Sequence, residues 1–219
     1  NKWLDLSGNG QDFNLGSESA SASTGDEPAF TGSAGGLSSG EYFLHTNGDE
    51  FFQYDTSNET WMTGLHKDGA TFTLLAALYF GGSSNGTILG SARTESTARQ
   101  GIIFDISSGP NLRFRVYQAT GDAAALSVTA DSSITRGAWH IVGLSVSENG
   151  GSVSFLYSDG NYAQVSASNT FNANYSSPSA SDPAATMKLG ASFSAAGGDT
   201  QFNYAETGRR WGCFAAWNT

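Results

Sequence analysis

The chain has 219 residues, and 20 Asp plus Glu against 10 Lys plus Arg give it a formal charge of -10. That balance opposes binding to nucleic-acid phosphates or to an anionic membrane surface. With 28 Gly, only 4 Pro and a single cysteine, the composition excludes an internal disulfide and suits one turn-rich β domain over residues 1–219, since sandwiches of roughly 200 to 250 residues fold as one unit.

In chain order, Lys2 to Leu15 reads as an edge strand, a Gly8-Asn9-Gly10 turn and a short strand ending at Phe13-Asn14-Leu15. Phe30 begins the next strand. Glu41 to Leu44 and Phe51 to Tyr54 flank Asn47-Gly48-Asp49, which predicts a hairpin. Asp55 to Lys67 has room for one helical turn around Trp61-Met62. Ala70 to Phe80 is a strong strand, with Phe72, Leu74, Ala76, Leu78 and Phe80 on one face and Leu75, Ala77 and Tyr79 on the other. Thr87 to Ser91, Gly101 to Ile106, Leu112 to Tyr117 and Leu126 to Ala130 add four more. From Arg136 to Gly160 two strands meet at Glu148-Asn149-Gly150-Gly151, a turn that tolerates positive φ. Ala138, His140, Val142, Leu144 and Val146 alternate with Trp139 and Ile141, which predicts cover on both faces of the first strand. Val153, Phe155 and Tyr157 alternate with Ser152, Ser154 and Leu156 in the second. Tyr162 to Val165 extends the meander, and Ser166 to Thr186 is a long polar loop carrying Tyr175.

A Trp opening one strand, a Gly-rich hairpin and Tyr157-Ser158-Asp159-Gly160 closing the next resemble the centre of a laminin-G-like, concanavalin A-like domain of the type found in bacterial surface proteins and phage structural proteins. Trp3-Leu4-Asp5-Leu6-Ser7-Gly8-Asn9-Gly10, Phe72-Thr73-Leu74, Met187-Lys188-Leu189-Gly190 and Trp211 to Asn218 follow in that family's order. The resemblance implies an all-β, two-layer antiparallel sandwich of jelly-roll topology. It also implies an extracellular, cell-surface or virion-surface location, and a partner that is a glycan or cell-surface polysaccharide or other subunits of a virion or appendage. This fold carries lectins, adhesion modules, glycanases and lyases, so the chemistry has to be argued from residues.

Glycanases of this fold place two or three acids at alternating positions of one strand. Neither Glu-x-Asp-x-Glu nor Glu-x-Asp-x-x-Glu occurs here; Asp49, Glu50, Asp55 and Glu59 are spread over a turn and a loop. His45, His66 and His140 lack the Gln-x-His arrangement of the lyases, and His140 is expected to pack at a strand start. The spacing Gly-x-Ser-x-Gly occurs at Gly36 to Gly40 and at Gly82 to Gly86, in a predicted Gly/Ser connection and a predicted turn rather than at a strand-to-helix elbow, and His-rich metal patterns are absent. The family often holds one calcium ion on a loop rim; Asp49 and Asp55 are the candidate ligands here, with Asp122, Asp159 and Asp199 at other predicted turns. Cys213, inside an apolar segment, is expected to be a buried thiol.

Sugar recognition needs an aromatic face and planar polar groups. With Leu112, Phe114 and Val116 turned inward, Arg113, Arg115 and Tyr117 share the outward face of one strand and would suit an anionic glycan. The competing expectation is cross-strand pairing with Asp or Glu. Trp61, Tyr175 and the Arg209-Arg210-Trp211 corner are further candidates, Trp211 being expected to pack. The sequence therefore predicts a non-catalytic glycan-recognition module, with a structural decoration domain as the alternative and a glycoside hydrolase or lyase as the third class.

Overall fold

The computed structural model describes residues 2–16, 25–32, 40–54, 64–81, 86–93, 100–107, 109–118, 124, 126–158, 162–165, 183, 185–193, 201–202 and 208–218. These residues form two antiparallel sheets packed face to face, a β-sandwich. One sheet has eight strands. In spatial order they are β1 (Lys2–Trp3), β2 (Phe13–Leu15), β5 (Phe52–Tyr54), β14 (Lys188–Leu189), β7 (Gly86–Gly90), β8 (Gly101–Ile106), β9 (Asn111–Tyr117) and β10 (Leu126–Ser133). The other has seven: β13 (Tyr162–Val165), β12 (Ser152–Ser158), β11 (Trp139–Ser147), β6 (Thr71–Tyr79), β17 (Arg210–Asn218), β4 (Phe43–Leu44) and β3 (Ala29–Phe30). A small two-stranded ribbon joins β15 (Ser192–Phe193) to β16 (Gln201–Phe202).

The period-two pattern of the sequence decides which side of each strand is buried. In β6 the inward set Phe72, Leu74, Ala76 and Leu78 is at most 2% exposed, and the alternate residues are half-buried. Val142, Leu144 and Val146 of β11 and Val153 and Phe155 of β12 continue that layer, in register through Leu144 opposite both Leu74 and Phe155. The facing layer is supplied by Phe104, Leu112, Phe114, Val116 and Val128. Two aromatic pairs lock the layers together: Phe72 meets Phe114 edge-on at 6.2 Å, and Phe104 stacks on Phe155 at 6.3 Å. Truncating a ring in such a core costs about 3–5 kcal/mol, the lost transfer energy plus the cavity left behind.

Three expectations are corrected. Residues 41–54 are not a hairpin, because β4 belongs to the seven-stranded sheet and β5 to the eight-stranded one. Phe43 and Phe52 therefore reach the core from opposite layers, with their rings perpendicular at 5.1 Å. The crossing between them is held by His45, whose N–H donates to the Arg209 carbonyl and whose carbonyl accepts from Gly208, and by Phe51 donating to the Asp26 carbonyl.

The second correction concerns Cys213, which is exposed. A bulge between Trp211 and Cys213 shifts the register against β6, from Trp211 opposite Leu78 to Cys213 opposite Ala77. One extra residue reverses the alternation, so Trp211 is fully buried while Cys213 faces out. The third is the outer face of β11, which is not covered: Trp139 is 41% and Ile141 49% exposed. The helical turn expected around Trp61-Met62 and the loop carrying Tyr175 lie outside the described residues. No helix among the described residues is long and apolar enough to cross a membrane.

Candidate functional site

The outer faces of the two sheets carry different chemistry. On the eight-stranded sheet, Leu112, Phe114 and Val116 point inward and turn Arg113, Arg115 and Tyr117 to the other side, as the alternation predicts. Asp105 of β8 lies in register with Arg113. Its carboxylate accepts from Arg113 Nε at 2.9 Å and Nη2 at 2.7 Å, and from Arg115 Nη2 at 2.6 Å. Arg115 Nη1 also donates to the Tyr117 hydroxyl at 3.0 Å. Its hydrogen bonds to Asp105 hold Arg113 above its already high ordinary pKa, against the opposing pull of burial. Asp105 is 5% exposed and Tyr117 4%, and Tyr117 packs with Ala92, Ile103 and Ala124. The strongest donors of this face are thus directed at a neighbour rather than outward.

On the seven-stranded sheet a second group is assembled, in which Trp139 is exposed and Tyr42, Tyr79 and Arg210 are half-buried. Tyr79 ends β6 with Trp139 of β11 opposite it on one side and Arg210 of β17 on the other. Tyr42, just before β4, completes the group; its carbonyl accepts from Thr31 N–H and its N–H donates to Thr31 Oγ1, both at 3.0 Å. The indole of Trp139 meets Tyr42 at 5.9 Å and Tyr79 at 6.0 Å, both edge-on. The Arg210 guanidinium lies 4.3 Å from the Tyr79 ring centre and 5.0 Å from that of Tyr42. Gly212 leaves room for the indole, since a Cβ built there would already lie 3.4 Å from Trp139 Cζ3.

Beyond this platform the face carries small side chains. Ala77 stands between Ile141 and Cys213, and Leu75 between Gly143 and Ala215. Gly143 gives Leu75 its place there: a Cβ would sit 2.4 Å from Leu75 Cδ2 and force that side chain to move. Thr73 follows, flanked by Ser145 and by Trp217, which is 42% exposed. From Tyr79 to Thr73 the strip runs roughly 20 Å at about 3.3 Å per residue. It bears no carboxylate.

The corner beneath the platform is buried. His45 is fully buried and neither ring nitrogen has a hydrogen-bond partner among the described residues. Burial, with the nearby Arg209 charge, pushes its pKa down to about 3. Burial pushes the Glu50 carboxyl up, against hydrogen bonds from the Thr46 hydroxyl and N–H. Arg209 is fully buried and donates to the Thr87 carbonyl, and Trp211 packs in the core as expected. His140 is also buried, its ring nitrogens 2.6 Å from the Thr135 carbonyl and 3.2 Å from that of Ser158, which is the packed role the sequence suggested.

A groove of about 870 Å³ opens along one edge of the sandwich, between β17 and the segment joining β1 to β2. Its walls include Trp3, Leu4, Leu6, Phe13, Phe214 and Ala216. Asp5 shapes that segment by accepting from Ser7 N–H at 2.8 Å, Ser7 Oγ at 2.7 Å and Gln11 N–H at 3.0 Å, bonds that hold its carboxyl below the usual range.

Of the other predicted site residues, Trp61, Tyr175 and Asp55 lie outside the described residues, as do Asp122, Asp159 and Asp199. Asp49 is exposed in its turn, where its N–H donates to Asn47 Oδ1. Among the described residues no group of three or more His, Cys, Asp or Glu side chains is placed to hold a metal ion. Sequence reasoning passed over Tyr42, Tyr79 and Trp139 as ligand-facing residues. The available signal was that their strands alternate large apolar residues on both faces while nothing else in the sequence supplied a third layer.

No protein-family model matches the chain, and no curated protein matches it either. Among solved structures, a Trypanosoma rangeli sialidase in complex with sialic acid aligns over 81% of this chain with a TM-score of 0.46 at 14% identity. The same sialidase with 2,3-difluorosialic acid, a covalent intermediate, aligns over 82% at 0.45 and 15% identity. The chain spans 25% of the length of each. A protein of unknown function from Shewanella oneidensis MR-1 aligns over 92% of this chain and 75% of its own, with a TM-score of 0.46 at 12% identity.

Proposed function

We propose that the chain is a single laminin-G-like, concanavalin A-like domain that recognises glycans without catalysis, as a module of a surface or virion assembly. The observation that carries this reading is the open platform of Tyr42, Tyr79, Trp139 and Arg210. Exposed aromatic rings take the apolar face of a pyranose, and an arginine fork beside them donates to its hydroxyls. The strip of Ala77, Gly143, Leu75 and Ala215 lets further sugar units lie along the sheet towards Trp217. With a net charge of -10 the preferred ligand is a neutral glycan rather than a polyanion. The lack of any carboxylate on the strip supports binding over hydrolysis, which needs an acid and a base or nucleophile flanking the bond.

The test is a glycan array probed with the wild-type protein and with Trp139→Ala, each with calcium and with chelator. The wild type is expected to bind neutral glycans, and Trp139→Ala to bind at least tenfold more weakly, about 1.4 kcal/mol. A chelator-sensitive signal adds calcium to the site; the same signal in both conditions removes it. No binding in either condition moves the assignment to a structural decoration module with a protein partner, a reading favoured by the edge of β17 at 212–218, which has no strand partner among the described residues.

A further inference from the structure

Strand β17 is nine residues long, yet on the side away from β6 it is paired only at its start, where β4 meets Arg210 and Trp211. From 212 to 218 that side has no partner among the described residues. In a strand every second residue directs its N–H and C=O to a given edge, so this stretch presents a row of unmatched donors and acceptors. Natural edges of this length are usually blunted by Lys, Pro or inward charge. Gly212-Cys213-Phe214-Ala215-Ala216-Trp217-Asn218 has none of these, and the bulge between Trp211 and Cys213 lies only at its start.

The apolar groove lies directly against the same edge. Leu4 is 62% and Leu6 85% exposed on its far wall, in a segment that Asp5 holds in shape. Phe13 and Phe214, in edge-on contact at 5.8 Å, stand between the two layers there. Among the described residues Asp5 is the one carboxylate in the lining, and its oxygens are engaged by Ser7 and Gln11.

We propose that this edge binds an extended polypeptide strand supplied from outside these 219 residues, which pairs with β17 in line with β4 and closes the sandwich. The backbone row specifies the ligand class, because only another extended polypeptide offers alternating N–H and C=O groups at matching spacing. The groove specifies the side chains. Every second residue of the incoming strand faces inward, between Leu4 and Leu6 on one wall and Phe214 and Ala216 on the other, and so is apolar. Its outward residues meet the exposed face beside Ala215 and Trp217, and its flanks are basic because the protein around it is acidic. A second copy of the chain fits poorly. Phe214 and Ala216 of each copy already pack on their own core, so two paired β17 edges would leave both grooves unfilled.

The inference stands apart from the glycan reading, since it uses the edge of the sheet and not the Trp139 platform. It is tested with a panel of ten-residue peptides that alternate Val, Ile or Leu with Ser or Thr and carry Lys at both ends. Binding is read by fluorescence anisotropy and by hydrogen exchange of residues 212–218. At least one peptide is expected to bind and to slow exchange of alternate amides in this stretch tenfold or more. A peptide of the same composition with its apolar residues grouped in a block is expected not to bind. Leu4→Glu and Leu6→Glu, both at exposed positions, are expected to weaken binding at least tenfold while leaving Tm and glycan binding unchanged. The proposal is overturned if no peptide slows exchange at 212–218, if the block peptide binds equally, or if the leucine variants bind as wild type. Protection that rises with protein concentration in the absence of peptide also overturns it, in favour of self-association.

Discussion

The outer faces of the two sheets start from the same ingredients, arginine and tyrosine at outward positions of regular strands, and end differently. On the eight-stranded sheet, Asp105 stands in register with Arg113 and gathers two guanidinium groups, which leaves a network closed on itself. On the seven-stranded sheet, Arg210 stands in register with Tyr79, and its other ring neighbour is Tyr42. The difference is one acidic cross-strand neighbour. An arginine with a carboxylate opposite becomes part of the scaffold, whereas an arginine among rings keeps hydrogen-bonding capacity for a ligand.

The sharpest way to break this contrast is to move the acid. Tyr79→Asp sets a carboxylate opposite Arg210 as Asp105 stands opposite Arg113, and it removes a platform ring at the same time. Glycan binding is expected to fall about a hundredfold or more, roughly 2.7 kcal/mol, with the thermal midpoint changed little, as a titration and a melting curve would read. The converse change, Asp105→Ala, strips both arginines of their shared acceptor. Charge-assisted hydrogen bonds to a buried carboxylate support a loss of about 2 kcal/mol, reduced from the full value because the guanidinium groups are partly solvated. Urea unfolding measures this, and the same variant is expected to gain affinity for anionic glycans.

A smaller effect separates the faces by pH. His45 anchors the corner beneath the platform through its backbone bonds to Arg209 and Gly208, and its ring is held neutral down to about pH 3. The unfolded chain takes up that proton below its ordinary value of 6.5. The contribution is therefore complete above pH 6.5 and is lost as pH falls, by about 1.4 kcal/mol per unit. Replacing the ring by His45→Leu should flatten this slope between pH 6.5 and 5 in urea midpoints; an unchanged slope would show that other groups set it. The smallest expected change is Arg210→Lys, which keeps the charge but loses the flat fork that lies on the two rings. Binding should weaken threefold to tenfold.

Much of the sandwich was legible because its long strands obey one rule. Phe72 to Leu78, Val142 to Val146 and Leu112 to Val116 each alternate cleanly, and the structure pairs them as their patterns require. The segment 41–54 misled because two apolar runs around Asn47-Gly48-Asp49 look the same whether the chain turns back within a sheet or crosses between sheets. That choice is made by distant partners, Trp211 for Phe43 and Leu189 for Phe52. Cys213 misled because one bulge reverses a face, although Gly212 inside a strand was a readable sign of irregularity. Arg113 and Arg115 were found on the right face, but register alone revealed that Asp105 opposes them. The platform escaped because Trp139 and Tyr79 are apolar enough to look covered, and alternation cannot distinguish a side chain buried by protein from one awaiting a ligand.

The central claim, that recognition belongs to the open face rather than the closed one, is most directly tested by NMR of the nitrogen-15-labelled protein titrated with a glycan positive on the array. The protein has five tryptophans. The Trp139 indole N–H and the Gly212 amide are expected to shift with the glycan, while the buried Trp211 indole stays in place. Shifts confined to Arg113, Arg115 and Tyr117, with Trp139 unmoved, would contradict the account.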